Sequence, residues 1–230
     1  MTNAADKIIV ALDVPSKKQA LGLVEQLHNE ISFFKIGLQL FTAVGPDVVR
    51  EVLGTGAKVF LDLKLYDIPN TVAHAVESAA NLGVQMLTIH LSGGEAMVTA
   101  AVAAGPKKMS ILGVTVLTSL DETAIRALGI SSTIEEQVSR LAKMGVAAGI
   151  DGLVVSPHEI EVLRPQFGHD IELVVPGIRP SWSETADQKR VMTPREALDA
   201  GADYLVIGRP IITHSSPREA VAKIVAEIEG

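Results

Sequence analysis

The 230-residue chain sets 20 lysines and arginines against 27 aspartates and glutamates, and the resulting net charge of −7 argues against a broad nucleic-acid-binding surface. Hydrophobic residues make up 47% and aromatics only 3%, so the core is aliphatic, the usual composition of parallel strands covered by helices. Cysteine is absent, which removes disulfides, thiolate catalysis and Cys-ligated zinc.

The start, MTNAADKIIV, has no basic region and no long apolar segment, and no later run reaches membrane-spanning length. A cytoplasmic protein without membrane contact is expected. The acidic balance leaves room for a small anionic ligand, which needs only a few focused cations.

In chain order, strands are expected at 7–13 (KIIVALD), 33–37 (FFKIG), 58–64 (KVFLDLK) and 86–91 (MLTIHL). The second half supplies 110–117 (SILGVTVL), 152–156 (GLVVS), 172–178 (ELVVPGI) and 204–209 (YLVIGR). Amphipathic stretches such as KKQALGLVEQLH and AHAVESAANLG lie between them, with apolar residues at helical spacing. SPHE (156–159), TPRE (193–196) and SPRE (216–219) each read as a capping box with proline at the first helical position. SGGE (92–95) and TIEE (133–136) repeat the box without proline, and LGV, AGI and AGA place glycine where left-handed helix ends belong.

Eightfold β/α alternation over this length predicts a single α/β domain spanning 1–230, a (β/α)8 TIM barrel, with a doubly wound open sheet as the structural rival. No linker or composition break divides the chain. In such a barrel the chemistry sits at the C-terminal ends of the strands.

Four charges fall there. Asp13 closes strand one, Lys35 lies in strand two, and Asp62 and Lys64 close strand three. Side chains alternate across a strand, so Asp62 and Lys64 share the inward face while Leu61, Leu63 and Leu65 take the other. One reading is a buried ion-pair network that holds register. Burial costs several kcal/mol per ion, however, and apolar replacements are often no less stable, so a site explains the four better. At strand eight, Gly208 allows close backbone approach and Arg209 offers a bidentate guanidinium, at the usual phosphate position of barrels. The long polar segment PGIRPSWSETADQKRVMTP after strand seven exceeds a minimal connection and suggests a lid. His90 ends strand four without an evident partner, and the other histidines show no metal spacing.

The stretch FLDLKLYDIPNTV resembles the signature of the orotidine 5′-monophosphate decarboxylases, with its Asp-x-Lys-x-x-Asp spacing. ALDVP, FKIGLQLF, VVPGIRP and YLVIGRPI extend the resemblance over essentially the whole chain. It implies decarboxylation of orotidine 5′-monophosphate to uridine 5′-monophosphate, the last step of pyrimidine nucleotide synthesis, with neither metal nor cofactor. Lys35, Asp62, Lys64 and Asp67 would form the catalytic charge array, with Lys64 the proton donor. Asp13 and Lys35 would hold the ribose hydroxyls, and Thr118 the pyrimidine. Arg179, Gln188, Gly208 and Arg209 would contact the ligand from the phosphate side. A homodimer is implied, with Asp67 and Thr71 entering the partner's site. Related Mg2+-dependent phosphosugar enzymes, which decarboxylate keto-gulonate phosphate or make hexulose phosphate, share Asp-x-Lys-x-x-Asp. The resemblance suggests that they carry an acid where this chain has Lys35. A non-catalytic phosphosugar-binding barrel is the third reading.

Overall fold

A computed structural model describes residues 4–183 and 192–230. Its strands are β1 (Ile8–Ala11), β2 (Phe33–Gly37), β3 (Lys58–Leu65), β4 (Met86–His90), β5 (Ser110–Val114), β6 (Gly152–Val154), β7 (Glu172–Pro176) and β8 (Tyr204–Ile207). Each pairs parallel to the next, and β8 returns to β1, closing the barrel. The open-sheet alternative is thereby excluded. Strand pairing stops short of the expected C-terminal ends at several strands; β1, for example, ends at Ala11 rather than at Asp13. Beyond these ends, Asp13, Leu117, Ser156, Gly177 and Gly208 line the mouth.

The helices are α1 (Lys17–Leu27), α2 (Leu38–Val44), α3 (Asp47–Gly54), α4 (Pro69–Leu82), α5 (Glu95–Ala104), α6 (Glu122–Ala127), α7 (Ile134–Ala147), α8 (Ile160–Phe167), α9 (Pro194–Asp199), α10 (Arg209–Ile212) and α11 (Pro217–Glu229). Strand alternation splits the core in two. Ile9, Phe33, Phe60, Met86, Leu112 and Val174 fill the barrel, whereas Ile8, Val10, Phe34, Ile36, Val59 and Leu61 face the helices. Both layers exclude water almost completely, and buried apolar area contributes about 25 cal/mol per Å2.

Local signals account for the helix boundaries. The boxes at Thr133 and Thr193 close in both directions, and Glu159 accepts the Ser156 N–H at 2.8 Å. Gly83, Gly149 and Gly201 take the left-handed φ values, 90°, 92° and 112°, expected of LGV, AGI and AGA. SGGE departs from expectation: Leu91–Gly93 form a 3-10 turn, and Gly94, at φ 83°, is the residue preceding α5. Only glycine enters that backbone region at no steric cost, so it displaces Ser92 as the cap.

At the N-terminal end of the barrel, polar side chains occupy the amides where strands begin. Gln85 accepts from Val59 N–H at 2.7 Å, Asp151 from Ile111 N–H at 2.8 Å, and Asp203 from Leu173 N–H at 2.8 Å. Glu172 points into the same end with one carboxylate oxygen buried and without a hydrogen bond. Burial pushes its carboxyl up; Asp203 and Asp151 add to this, against the Ser110 hydrogen bond and Lys7. An acid with a raised folded value contributes stability at low pH that is lost as pH rises from the ordinary glutamate range through that raised value. Glu172→Gln is therefore expected to melt higher than the parent at pH 8 and level with it at pH 4. An equal difference at both pH values, read by thermal denaturation, contradicts this account.

Candidate active site

Strand β3 carries the central pair, but not as a regular strand. Its pairing with β2 is unbroken from Phe33↔Lys58 to Gly37↔Asp62. Against β4 it slips, because Leu61 pairs with Leu87 and Leu65 with Ile89. Lys64, inside this slip, has φ 49° and is the one non-glycine residue with positive φ among the described residues. Such a backbone costs about 1–3 kcal/mol and persists only where its surroundings enforce it. Thr88 of β4 provides part of that enforcement, accepting the Lys64 N–H on Oγ1 at 2.8 Å. Leu63 and Leu65 still pack outward under the helices, so the expected division of faces holds despite the irregularity.

The four predicted charges meet in one chain. Lys35 Nζ lies 3.0 Å from Asp13 Oδ1 and 3.6 Å from Asp62 Oδ2, and Lys64 Nζ lies 2.8 Å from Asp62 Oδ1. Thr88 Oγ1 donates to the same Asp62 oxygen at 2.9 Å. Lys35 and Asp62 are buried, whereas the Lys64 side chain retains 30% exposure toward the cavity. Burial is the largest influence on Asp62 and opposes its ionisation. The charges of Lys35 and Lys64, with the hydrogen bonds from Lys64 and Thr88, outweigh it and hold the carboxyl below its ordinary value. Asp62 is thus an anion, able to hold a cation in place.

Gly37 makes room for this arrangement. A Cβ there would lie 2.9 Å from Lys35 Nζ and 3.3 Å from Asp13 Oδ1. Because the nearest clash is with the tip of a flexible chain, Gly37→Ala is expected to fold normally while pushing Lys35 off Asp13. The predicted outcome is a loss of about tenfold or more in kcat/KM with little change in melting temperature, in line with the cost of small misplacements in a site. Parent-like kinetics would show that the Asp13–Lys35 contact is dispensable.

The chain of charges forms one wall of a cavity of about 290 Å3, near the lower end of the usual small-molecule range of about 300–1,000 Å3. Val114, Val116, Leu117, Val154, Pro176 and Val206 supply apolar surface. Thr118, Arg179, Gly208 and Arg209 also line it. Gly208 sits against β1, where a Cβ would lie 3.4 Å from that of Ala11. Arg179 is held at the base of the segment after β7: its N–H donates to Met192 O at 2.9 Å, and Nη1 to Ile178 O at 3.0 Å. A second pocket, adjoining through Arg179 and Arg209, contains Trp182 edge-on to His214.

Of the residues singled out from the sequence, Asp13, Lys35, Asp62, Lys64, Thr118, Arg179, Gly208 and Arg209 converge on this cavity. Asp67 and Thr71 do not line it. Both are exposed beyond β3, and Asp67 Oδ1 accepts the Ile68 N–H at 2.7 Å. Gln188 lies outside the described residues. Ser156, read from sequence only as a cap, is buried and lines the cavity at the end of β6. Its place as the last residue of the strand expected at 152–156 was the available signal. Thr88 and Gly37 carried no signal in sequence alone. His90 ends β4 with its ring against Tyr66 (centroids 5.6 Å apart), and burial followed by the Lys64 charge lowers its pKa.

A closed parallel barrel whose C-terminal mouth holds alternating carboxylates and ammoniums, with arginines at the rim, defines an enzyme-like barrel built for a small anionic ligand. Residues 6–224 match the family model described as "Orotidine 5'-phosphate decarboxylase / HUMPS family", and the chain belongs to that family. The orotidine 5′-phosphate decarboxylase of Moorella thermoacetica is 50% identical, over 99% of this chain and 94% of its own length. That of Geobacter sp. (strain M21) is 48% identical, over 98% and 97%. The crystal structure of orotidine 5′-phosphate decarboxylase from Lactobacillus acidophilus superposes with a TM-score of 0.86 at 35% identity, covering 98% of this chain and 100% of that one.

Proposed function

We propose that this barrel is one catalytic domain, residues 1–230, that decarboxylates orotidine 5′-monophosphate to uridine 5′-monophosphate and CO2, completing pyrimidine nucleotide synthesis. The observation that carries the reading is the Asp13–Lys35–Asp62–Lys64 chain of charges, its two central members buried, facing the cavity. The names of the relatives point the same way.

In this reading the bond from C6 to the carboxylate carbon breaks heterolytically. CO2 departs neutral and the electron pair remains on C6, in the plane of the ring, where the π system cannot delocalise it. The Lys64 ammonium stabilises that pair and then transfers a proton to C6, and solvent restores the lysine. Asp62, fixed between two ammoniums, aims Lys64 and stands where the substrate carboxylate is repelled before it leaves. Asp13 and Lys35 hold the ribose hydroxyls, and Thr118 the pyrimidine. Arg209, Arg179, Gln188 and the Gly208 backbone take the phosphate side. The residues suffice for the chemistry without a metal or organic cofactor.

The Mg2+-dependent phosphosugar reading fits less well. Lys35 Nζ stands between the carboxylates of Asp13 and Asp62, the space a divalent ion would need, and a fixed cation there repels another. Incubation with orotidine 5′-monophosphate should yield equimolar uridine 5′-monophosphate and CO2. Turnover of keto-gulonate phosphate with Mg2+, in its place, would overturn the assignment.

The protein acts as a cytoplasmic homodimer in this reading, with Asp67 and Thr71 reaching the partner's cavity. Their exposure supports this, as do Tyr66 and Ile68 on either side of Asp67, exposed to 63% and 66%. Among the described residues, no helix is long and apolar enough to cross a membrane. Lys64→Ala and Asp67→Asn, each inactive alone, should recover activity when mixed and allowed to exchange subunits. Random pairing makes half the dimers mixed, each with one intact site of two, so about a quarter of parent activity is expected. No recovery after demonstrated exchange contradicts the shared site.

A further inference from the structure

We propose, building on the decarboxylation reading above, that Thr88 is a positioning residue of the reaction: its single hydroxyl couples the orientation of the Asp62 carboxylate to the left-handed backbone that aims Lys64. Thr88 is fully buried in β4 and is not among the residues lining the cavity.

A hydroxyl has one hydrogen to give and lone pairs to accept with. Thr88 spends both capacities on the two central charged residues, donating to Asp62 Oδ1 at 2.9 Å and accepting Lys64 N–H at 2.8 Å. Asp62 Oδ1 in turn accepts from Lys64 Nζ at 2.8 Å. The result is a closed circuit running from the carboxylate to the lysine head, back along the lysine to its amide, and through Thr88 to the carboxylate again. No rotation of Asp62 or relaxation of Lys64 can occur without breaking a member of it.

The circuit falls where the β3–β4 register slips between Leu61 and Leu65, so the threonine oxygen stands in for a ladder acceptor at the point where φ turns positive. Packing alone does not call for the hydroxyl. The neighbouring barrel interior is filled by Phe60, Met86 and Leu112, and valine has the same shape as threonine. The ribose and phosphate contacts proposed for Asp13, Lys35 and Arg209 do not pass through Thr88. Its loss should therefore appear in kcat rather than in ligand binding.

The test compares the parent with Thr88→Val, which keeps shape and removes the hydroxyl, and Thr88→Ser, which restores it. Three quantities are read: turnover of orotidine 5′-monophosphate, calorimetric affinity for uridine 5′-monophosphate, and NMR hydrogen exchange at the Lys64 amide. Thr88→Val is expected to lose on the order of 100-fold in kcat, as misplacement of a reacting group does, with uridine 5′-monophosphate affinity within about threefold. Thr88→Ser is expected within about fivefold of the parent, and Lys64 exchange to accelerate in the valine variant alone. If Thr88→Val does not fold, Thr88→Ala is read by the same criteria. Valine turnover within threefold of the parent, serine as impaired as valine, or a loss confined to KM overturns the proposal. A parent without turnover overturns the functional reading instead, while the amide exchange, which needs no substrate, still decides whether the circuit exists.

Discussion

Replacing Lys64 by alanine is expected to lower kcat for orotidine 5′-monophosphate by about 10^5-fold or more, with uridine 5′-monophosphate still bound. Two losses combine. A unit charge at about 4 Å is worth roughly 4 kcal/mol at an effective dielectric near 20, or about three decades in rate. Proton transfer from a positioned acid contributes a further two to four decades, about. The geometry makes this lysine hard to replace. Asp62 holds its head at 2.8 Å on Oδ1, whereas Lys35 is engaged with Asp13 at 3.0 Å and approaches the other Asp62 oxygen at 3.6 Å. Rates from loss of orotate absorbance, with product binding as the control for folding, decide the matter. Turnover within tenfold of the parent would remove Lys64 from the chemical step.

Arg209→Ala is expected to act through the phosphate alone. A charge-assisted hydrogen bond to a buried or half-buried anion contributes about 1.5–3 kcal/mol, so losing a bidentate pair should cost about 10^2- to 10^4-fold in kcat/KM. Orotidine, which lacks the phosphate, should turn over far more slowly than its phosphate in the parent and be nearly indifferent to the substitution. Phosphate binding energy realised in the transition state predicts this pattern. Equal losses on both substrates would place Arg209 in the barrel's structure rather than at the phosphate.

The barrel was legible in sequence because its strands are short aliphatic blocks bounded by glycine, proline and capping residues. Gly83, Gly149 and Gly201, and the boxes at Thr133 and Thr193, stand as the local chemistry requires. The charges at the mouth were legible because Asp62 and Lys64 break an otherwise apolar strand at period two. The bulge at Lys64 was not. A positive φ is ordinarily announced by glycine or asparagine, and here a lysine adopts it under constraint from a neighbouring strand. Thr88 looked like any β-branched strand residue, since its hydroxyl acquires meaning only once β3 and β4 are in register. Gly37 is similar, because the atoms that a Cβ would meet include one carried by the segment beyond β1. In each case a determining contact comes from a segment distant in the sequence, and a reading along one segment does not contain it.

The most direct test is the initial rate of orotate absorbance loss when purified protein meets orotidine 5′-monophosphate in excess EDTA. Rapid conversion, unchanged by the chelator and abolished by Lys64→Ala, is the predicted result. Absence of conversion, or conversion that appears only when Mg2+ is returned, would contradict it and would make Lys35 the residue to reassign.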